Sequence, residues 1–133
     1  MKILAVVVTH NRQVLLARCV QYLRAQQGGA PDILVIDNAS TDGTVDFLRE
    51  ASVDFVTQEN VGSAGGWHRG ISEALAHGYD AAWLMDDDGY PDPAALMELC
   101  KFMRPGVACA SSVVLQEDNP TKFVFPFPRL DAR

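Results

Sequence analysis

At 133 residues, 48% of them hydrophobic and 21% charged, the chain is long enough to bury a core as one domain over 1–133 and too apolar to be disordered. The 11 basic and 17 acidic residues give a formal charge of −6, which excludes a nucleic-acid-binding face, because such a face needs a basic footprint to displace counterions from phosphate. Cys19, Cys100 and Cys109 are odd in number and lack metal-ligand spacing, which excludes a disulfide framework or zinc site and predicts reduced, buried small residues in a cytoplasmic protein.

Ile3 to Thr9 is apolar and β-branched, the pattern of a strand buried on both faces of a parallel sheet. It is too short for a signal peptide, and Thr9-His10-Asn11-Arg12 interrupts it. Leu16, Val20 and Leu23 then recur at helical spacing until Gly28-Gly29. Ile33 to Ile36 is a second buried strand, closed by Asp37 and the turn-rich run Asn38-Ala39-Ser40-Thr41-Asp42-Gly43. A short helix around Val45 to Leu48, a strand at Val53 to Thr57 and a helix carrying Trp67, Ile71 and Leu75 follow, the last ending at Gly78.

Ala81 to Met85 is the next strand and runs directly into Asp86-Asp87-Asp88-Gly89. Asp92-Pro93 predicts a helix start with a buried stripe of Leu96, Leu99 and Met103. Val107 to Leu115 reads as a further strand, and Phe123 to Phe127 as a short extended piece. Strands alternating with helices predict a Rossmann-like α/β domain, with a mostly parallel sheet flanked by helices. Ligands of such sheets bind beyond the carboxyl ends of the strands, which points to 9–12, 37–38, 60–66 and 86–88.

Asp86, Asp87 and Asp88 carry the strongest chemical signal. In extended geometry Asp86 and Asp88 point to one side and Asp87 to the other. Two crowded carboxylates call for a cation, and hard oxygen ligands suit Mg2+ or Mn2+. A solvated acidic loop is the alternative; a calcium EF-hand loop fails, since Met97 stands where its bidentate Glu is required.

The run Asn60-Val61-Gly62-Ser63-Ala64-Gly65-Gly66 is a glycine-rich entry into a helix, whose exposed amides suit phosphate oxygens. A close-packed turn would need the same glycines. Asp37 and Asn38 at a strand end could bond to a base or ribose, or could form an Asx turn into Ser40. Arg12 carries the planar fork that phosphate recognition uses, unless it is simply an exposed arginine on the first helical turn. His10 is a candidate lining residue, whereas His68 and His77 read as helix surface and Trp67 as core. No nucleophile elbow, dinucleotide fingerprint or P-loop occurs, and the missing triphosphate loop argues against a nucleotidyltransferase.

Taken in order, Thr9-His10-Asn11-Arg12, Ile36-Asp37-Asn38, the Asn60 to Gly66 run and Leu84-Met85-Asp86-Asp87-Asp88 resemble the inverting family-2 glycosyltransferases of GT-A fold. The likeness spans Lys2 to about Leu115 and is nearest to bacterial galactofuranosyl- and rhamnosyltransferases of surface polysaccharide synthesis. The resemblance implies that Thr9, Arg12, Asp37, Asn38 and Asn60, with Gly65, Gly66, Asp86 and Asp87, hold a nucleotide-sugar donor. It further implies that Asp86 and Asp88 bind Mg2+ or Mn2+. The implied donor is a UDP-sugar in preference to a dTDP-sugar, and the acceptor a glycan or lipid-linked glycan. The implied location is cytoplasmic, with peripheral contact at the inner face of the plasma membrane.

His10 departs from the aromatic residue that often follows the strand-end Thr in this family. The family's catalytic base comes from a later acidic motif, and nothing after Pro105 resembles it. Glu117-Asp118 reads as a solvated turn. The chain is therefore expected to be truncated before the acceptor half and inactive alone, a donor-binding fragment that self-associates through apolar surface near Phe123, Val124, Phe125 and Phe127.

Overall fold

A computed structural model describes residues 1–125. Its elements in chain order are β1 (Ile3–Thr9), α1 (Gln13–Arg24), β2 (Asp32–Asn38), α2 (Thr44–Glu50), β3 (Asp54–Gln58), α3 (Gly62–Ala76), β4 (Ala81–Asp86) and α4 (Ala95–Phe102). The chain forms two compact units, Met1–Met97 and Glu98–Arg133. Among the described residues no helix is long and apolar enough to cross a membrane.

The first unit is built on a sheet of order β3-β2-β1-β4 with every pairing parallel. β1 is central, and its alternation sorts the core into two layers. Ala5 and Val7 pack with Leu16, Cys19, Val20 and Leu23 of α1 and Leu48 of α2. Leu4, Val6 and Val8 face the other way, with Ile36 and Ala74. That two-sided burial is why Ile3 to Thr9 reads as unbroken apolar sequence.

On α3 the sequence misleads. Ile71 is 39% and Leu75 73% exposed, and the buried residues are Gly66, Gly70 and Ala74. Their spacing of four puts them on one helical face. A Cβ on Gly66 would lie 2.6 Å from a Val8 methyl, and one on Gly70 would collide with Val6. The helix lies so near β1 that only the smallest residues fit beneath it.

α4 starts at Ala95, later than Asp92-Pro93 suggests, because Asp92 makes a turn: Oδ1 accepts the Ala94 amide at 2.9 Å and its carbonyl accepts Ala95 N. Leu96 is buried, while Leu99 and Met103 are half-buried. The expected strand at Val107 to Leu115 does not form. Strand-like composition is insufficient without a ladder partner, and the segment makes only an isolated antiparallel bridge, Leu115 with Phe123. Of the expected extended piece, Pro126 and Phe127 lie outside the described residues. The three cysteines are free as expected, but only Cys19 is buried; Cys100 is half-buried and Cys109 exposed.

Candidate active site

Strand order reverses at β1: β2 and β3 extend the sheet to one side, and the α3 crossover places β4 on the other. Loops leaving β1 and β4 diverge at such a switch point and leave a crevice at the carboxyl ends. A cleft of about 430 Å³ opens there. Its walls are Val8, Thr9, His10 and Arg12 from β1 and the turn after it, Asn38 from β2, Asn60, Gly62 and Ser63 at the start of α3, and Asp86, Asp87 and Asp88 after β4.

The acidic run leaves the strand earlier than simple alternation allows. The Gly89 amide bonds back to the Asp86 carbonyl at 3.1 Å, so a turn begins at Asp86. Asp87 is buried and accepts from Thr9 Oγ1 at 2.7 Å. Arg12 Nη1 reaches Asp87 at 3.2 Å and Asp88 at 3.3 Å. Arg12 and the two carboxylates thus share one network, whereas strand alternation would pair Asp88 with Asp86.

Charge crowding shows in the ionisation of the groups. The Asp86 carboxyl is raised above the ordinary range by loss of solvation first, then by repulsion from Asp88 and Asp87, with Arg12 opposing. Hydrogen bonding to Asp87 holds the Arg12 guanidinium still more firmly protonated. Burial, followed by the charges of Asp87 and Asp88, pushes the Cys19 thiol up to about 12, which makes it an inert packing group.

The other wall is polar and locked. His10 Nδ1 donates to the Asn38 carbonyl at 2.7 Å, leaving Nε2 as acceptor for Asn11 Nδ2 at 3.4 Å. Gln58 Nε2 donates to Asn38 Oδ1 at 2.9 Å, and Asn38 Nδ2 donates to the Gly62 carbonyl at 3.2 Å. Gly62 has φ +75°, a conformation that suits glycine, and its amide is taken by Asn60 Oδ1 at 3.1 Å. The N-cap residue of α3, Val61, makes no side-chain cap bond, so only the first amide is taken. The next amides are therefore available to an anion.

Thr9, Arg12, Asn38, Asn60, Asp86, Asp87 and Asp88 come together in the cleft; Asp37, Gly65 and Gly66 do not line it. Asp37 is fully buried and accepts from Ser40 N at 3.1 Å and Thr57 Oγ1 at 3.2 Å, the Asx turn its neighbours suggest. Gly66 serves close packing on Val8.

Gly62 and Ser63, read from the sequence only as part of the glycine-rich run, line the cleft, whereas the sequence assigns Asn11 no role of its own. Asn11 has φ 52°, and its Oδ1 accepts Thr41 N at 2.7 Å and Asp42 N at 3.3 Å, joining the turn after β1 to the turn after β2. The signal was available: asparagine directly past a strand end is the residue that best tolerates a left-handed conformation.

The residues present suit Mg2+ or Mn2+. Their donors are carboxylate oxygens, the hard ligands those ions prefer. No group of three or more His, Cys, Asp or Glu among the described residues is arranged to hold an ion unaided. One or two carboxylates completed by substrate phosphate is the usual Mg2+ arrangement.

Residues 4–127 match the model of Glycosyl transferase family 2. The chain belongs to that family. Within family 2, it is 36% identical over 137 residues to galactofuranosyltransferase GlfT1 of Mycobacterium tuberculosis, an alignment covering 96% of this chain and 44% of the relative. The chain thus spans less than half the length of that curated relative. Among solved structures, mannosyltransferase PcManGT of Pyrobaculum calidifontis, in complex with GDP-Man and Mn2+, superposes with TM-score 0.61 at 23% identity, over 80% of this chain and 33% of that one. S. aureus TarS 1–349 with UDP-GlcNAc gives 0.57 at 18% identity, over 77% and 31%. These neighbours establish the GT-A fold that the family resemblance implies.

Proposed function

We propose that the cleft is the donor site of a metal-dependent, inverting galactofuranosyltransferase that moves the sugar from UDP to a glycan or lipid-linked glycan. One observation carries the reading: an acidic run, a guanidinium and the start of α3 face one cleft at the strand-order switch. A nucleoside diphosphate needs amides and arginine for its phosphates, and it can approach an acidic wall only through a cation. The galactofuranosyltransferase relative favours galactofuranose over rhamnose.

In this reading the α3 amides and Arg12 grip the diphosphate, and Thr9, Asn38 and Asn60 hold the rest of the nucleotide. Asp86 and Asp88 would hold the divalent cation. When bound, that ion supplies Lewis-acid stabilisation of charge on the departing diphosphate. Asp87, fixed by Thr9, keeps Arg12 at the mouth of the acidic turn. No cleft residue is assigned as the base that takes the acceptor proton, and Glu117 and Asp118 lie on an exposed bend of the second unit.

That gap favours a second reading, a donor-binding module without turnover. Calorimetry with UDP-galactofuranose and dTDP-rhamnose in Mn2+, paired with a transfer assay, separates the alternatives. The proposal expects the UDP donor to bind at least tenfold more tightly; preference for dTDP-rhamnose would overturn the sugar and base assignment. Donor binding with no transfer above slow hydrolysis would assign this chain to the second reading, and transfer would make Glu117 and Asp118 the first residues to substitute.

A further inference from the structure

Arg12 is held by two carboxylates of different standing. The Asp87 side chain is 4% exposed and its other oxygen is occupied by Thr9. The Asp88 side chain is 56% exposed. Both contacts run from Nη1, and no described residue bonds the Nε and Nη2 edge of the guanidinium. The contact to Asp87 is therefore an anchor, whereas the one to Asp88 is the weak, solvent-screened kind.

Charge makes that weak contact consequential. Asp86, Asp87 and Asp88 outnumber Arg12 in the cleft, so a diphosphate arriving alone meets net repulsion. A divalent cation would relieve it, yet it would compete with Arg12 for Asp88. We propose that Arg12 is an internal counter-ion handed over during donor binding: the divalent cation takes Asp88 from it, and the guanidinium, still anchored at Asp87, turns its open edge to the diphosphate. This rests on the donor-site reading above. The rival view makes Arg12 a permanent clasp that shapes the acidic turn for the metal.

The two views differ in sign. If Arg12 competes with the metal, removing it strengthens binding of metal alone while weakening binding of nucleotide; if it shapes the turn, removal weakens both. The test is Mn2+ affinity without nucleotide, from calorimetry and the electron paramagnetic resonance of free Mn2+, followed by UDP titration at saturating Mn2+. Arg12→Gln is expected to bind Mn2+ about two- to fivefold more tightly, the scale of an exposed ion pair, and UDP at least tenfold more weakly. Arg12→Lys, which keeps the charge but not the planar fork, is expected to leave Mn2+ affinity near wild type and still weaken UDP.

Unchanged or weaker Mn2+ binding by Arg12→Gln with a native melting profile would overturn the handover and leave the donor-site reading standing. Wild type binding UDP equally well in chelator would remove both, and is recognised from the wild-type arm alone. A measurement independent of any variant is the side-chain NMR signal of Arg12 in wild type: it should shift on adding Mg2+ and again on adding UDP. A signal unmoved by Mg2+ would contradict the proposal.

Discussion

Thr9 Oγ1 donates at 2.7 Å to an Asp87 carboxylate that is almost sealed from water, and Thr9 itself is 2% exposed. Thr9→Val keeps the shape and removes the donor, leaving a buried charged oxygen short of a partner. The expected cost is about 1–3 kcal/mol of folding stability, measured by urea unfolding, with weaker UDP binding because Asp87 no longer holds Arg12 in place. Thr9→Ser should restore most of both; a valine variant as stable as wild type would show that Asp87 finds other solvation. Residues such as Thr9, Arg12 and Asp86 to Asp88 were legible because strand ends in a parallel sheet are where ligands bind. Asp37 shares that address, but its side chain lies on the buried face and is consumed by Ser40 and Thr57. Sequence position alone does not distinguish the two faces until the register is known.

Helix α1 was readable because bulky Leu16, Val20 and Leu23 face a bulky sheet surface. On α3 the buried face is made of Gly66, Gly70 and Ala74; Trp67 packs against the core as read, but apolar periodicity also picks out the exposed Ile71 and Leu75. Gly70→Ala should gain about 1 kcal/mol of helix propensity and lose about 1–3 kcal/mol to overpacking on Val6. The net expectation is a lower melting temperature; a higher one would mean that α3 lifts from β1 at little cost. The strand expected at Val107 to Leu115 failed for the opposite reason, since β-branched composition states a preference that only a neighbouring strand can satisfy.

Asp42 acts between elements. Its Oδ1 accepts Thr44 N at 2.9 Å and its Oδ2 accepts Gln13 N at 3.4 Å, so one carboxylate serves the starts of α2 and α1. The Thr44 hydroxyl beside it first, then the Thr44 and Gln13 amides, hold it below the usual carboxylate range despite some loss of solvation. A depressed folded-state pKa gives stability that is present above the unfolded value and lost as pH falls through the folded one. Asp42→Ala should therefore melt lower than wild type at pH 7, and the two should converge as pH falls below the ordinary carboxylate range. A gap that stays constant with pH would mean that the side chain acts by packing alone.

At the scale of the whole molecule, the first unit presents a polar cleft, whereas the second exposes Val113, Val114, Leu115, Phe123, Val124 and Phe125 by 42–69% each. Apolar surface concentrated in this way favours association. Sedimentation velocity should show mass rising with concentration, and Val114→Lys with Phe125→Lys should suppress it; a monomer at every concentration would contradict the expectation.

In the proposed donor site an acidic chain binds a nucleoside diphosphate through a cation held at Asp86 and Asp88. The most direct measurement is calorimetric titration of UDP into the protein with Mn2+ and again with chelator. Saturable binding is predicted only in Mn2+, and Asp88→Asn should weaken it at least tenfold. Equal UDP affinity in chelator would contradict the account.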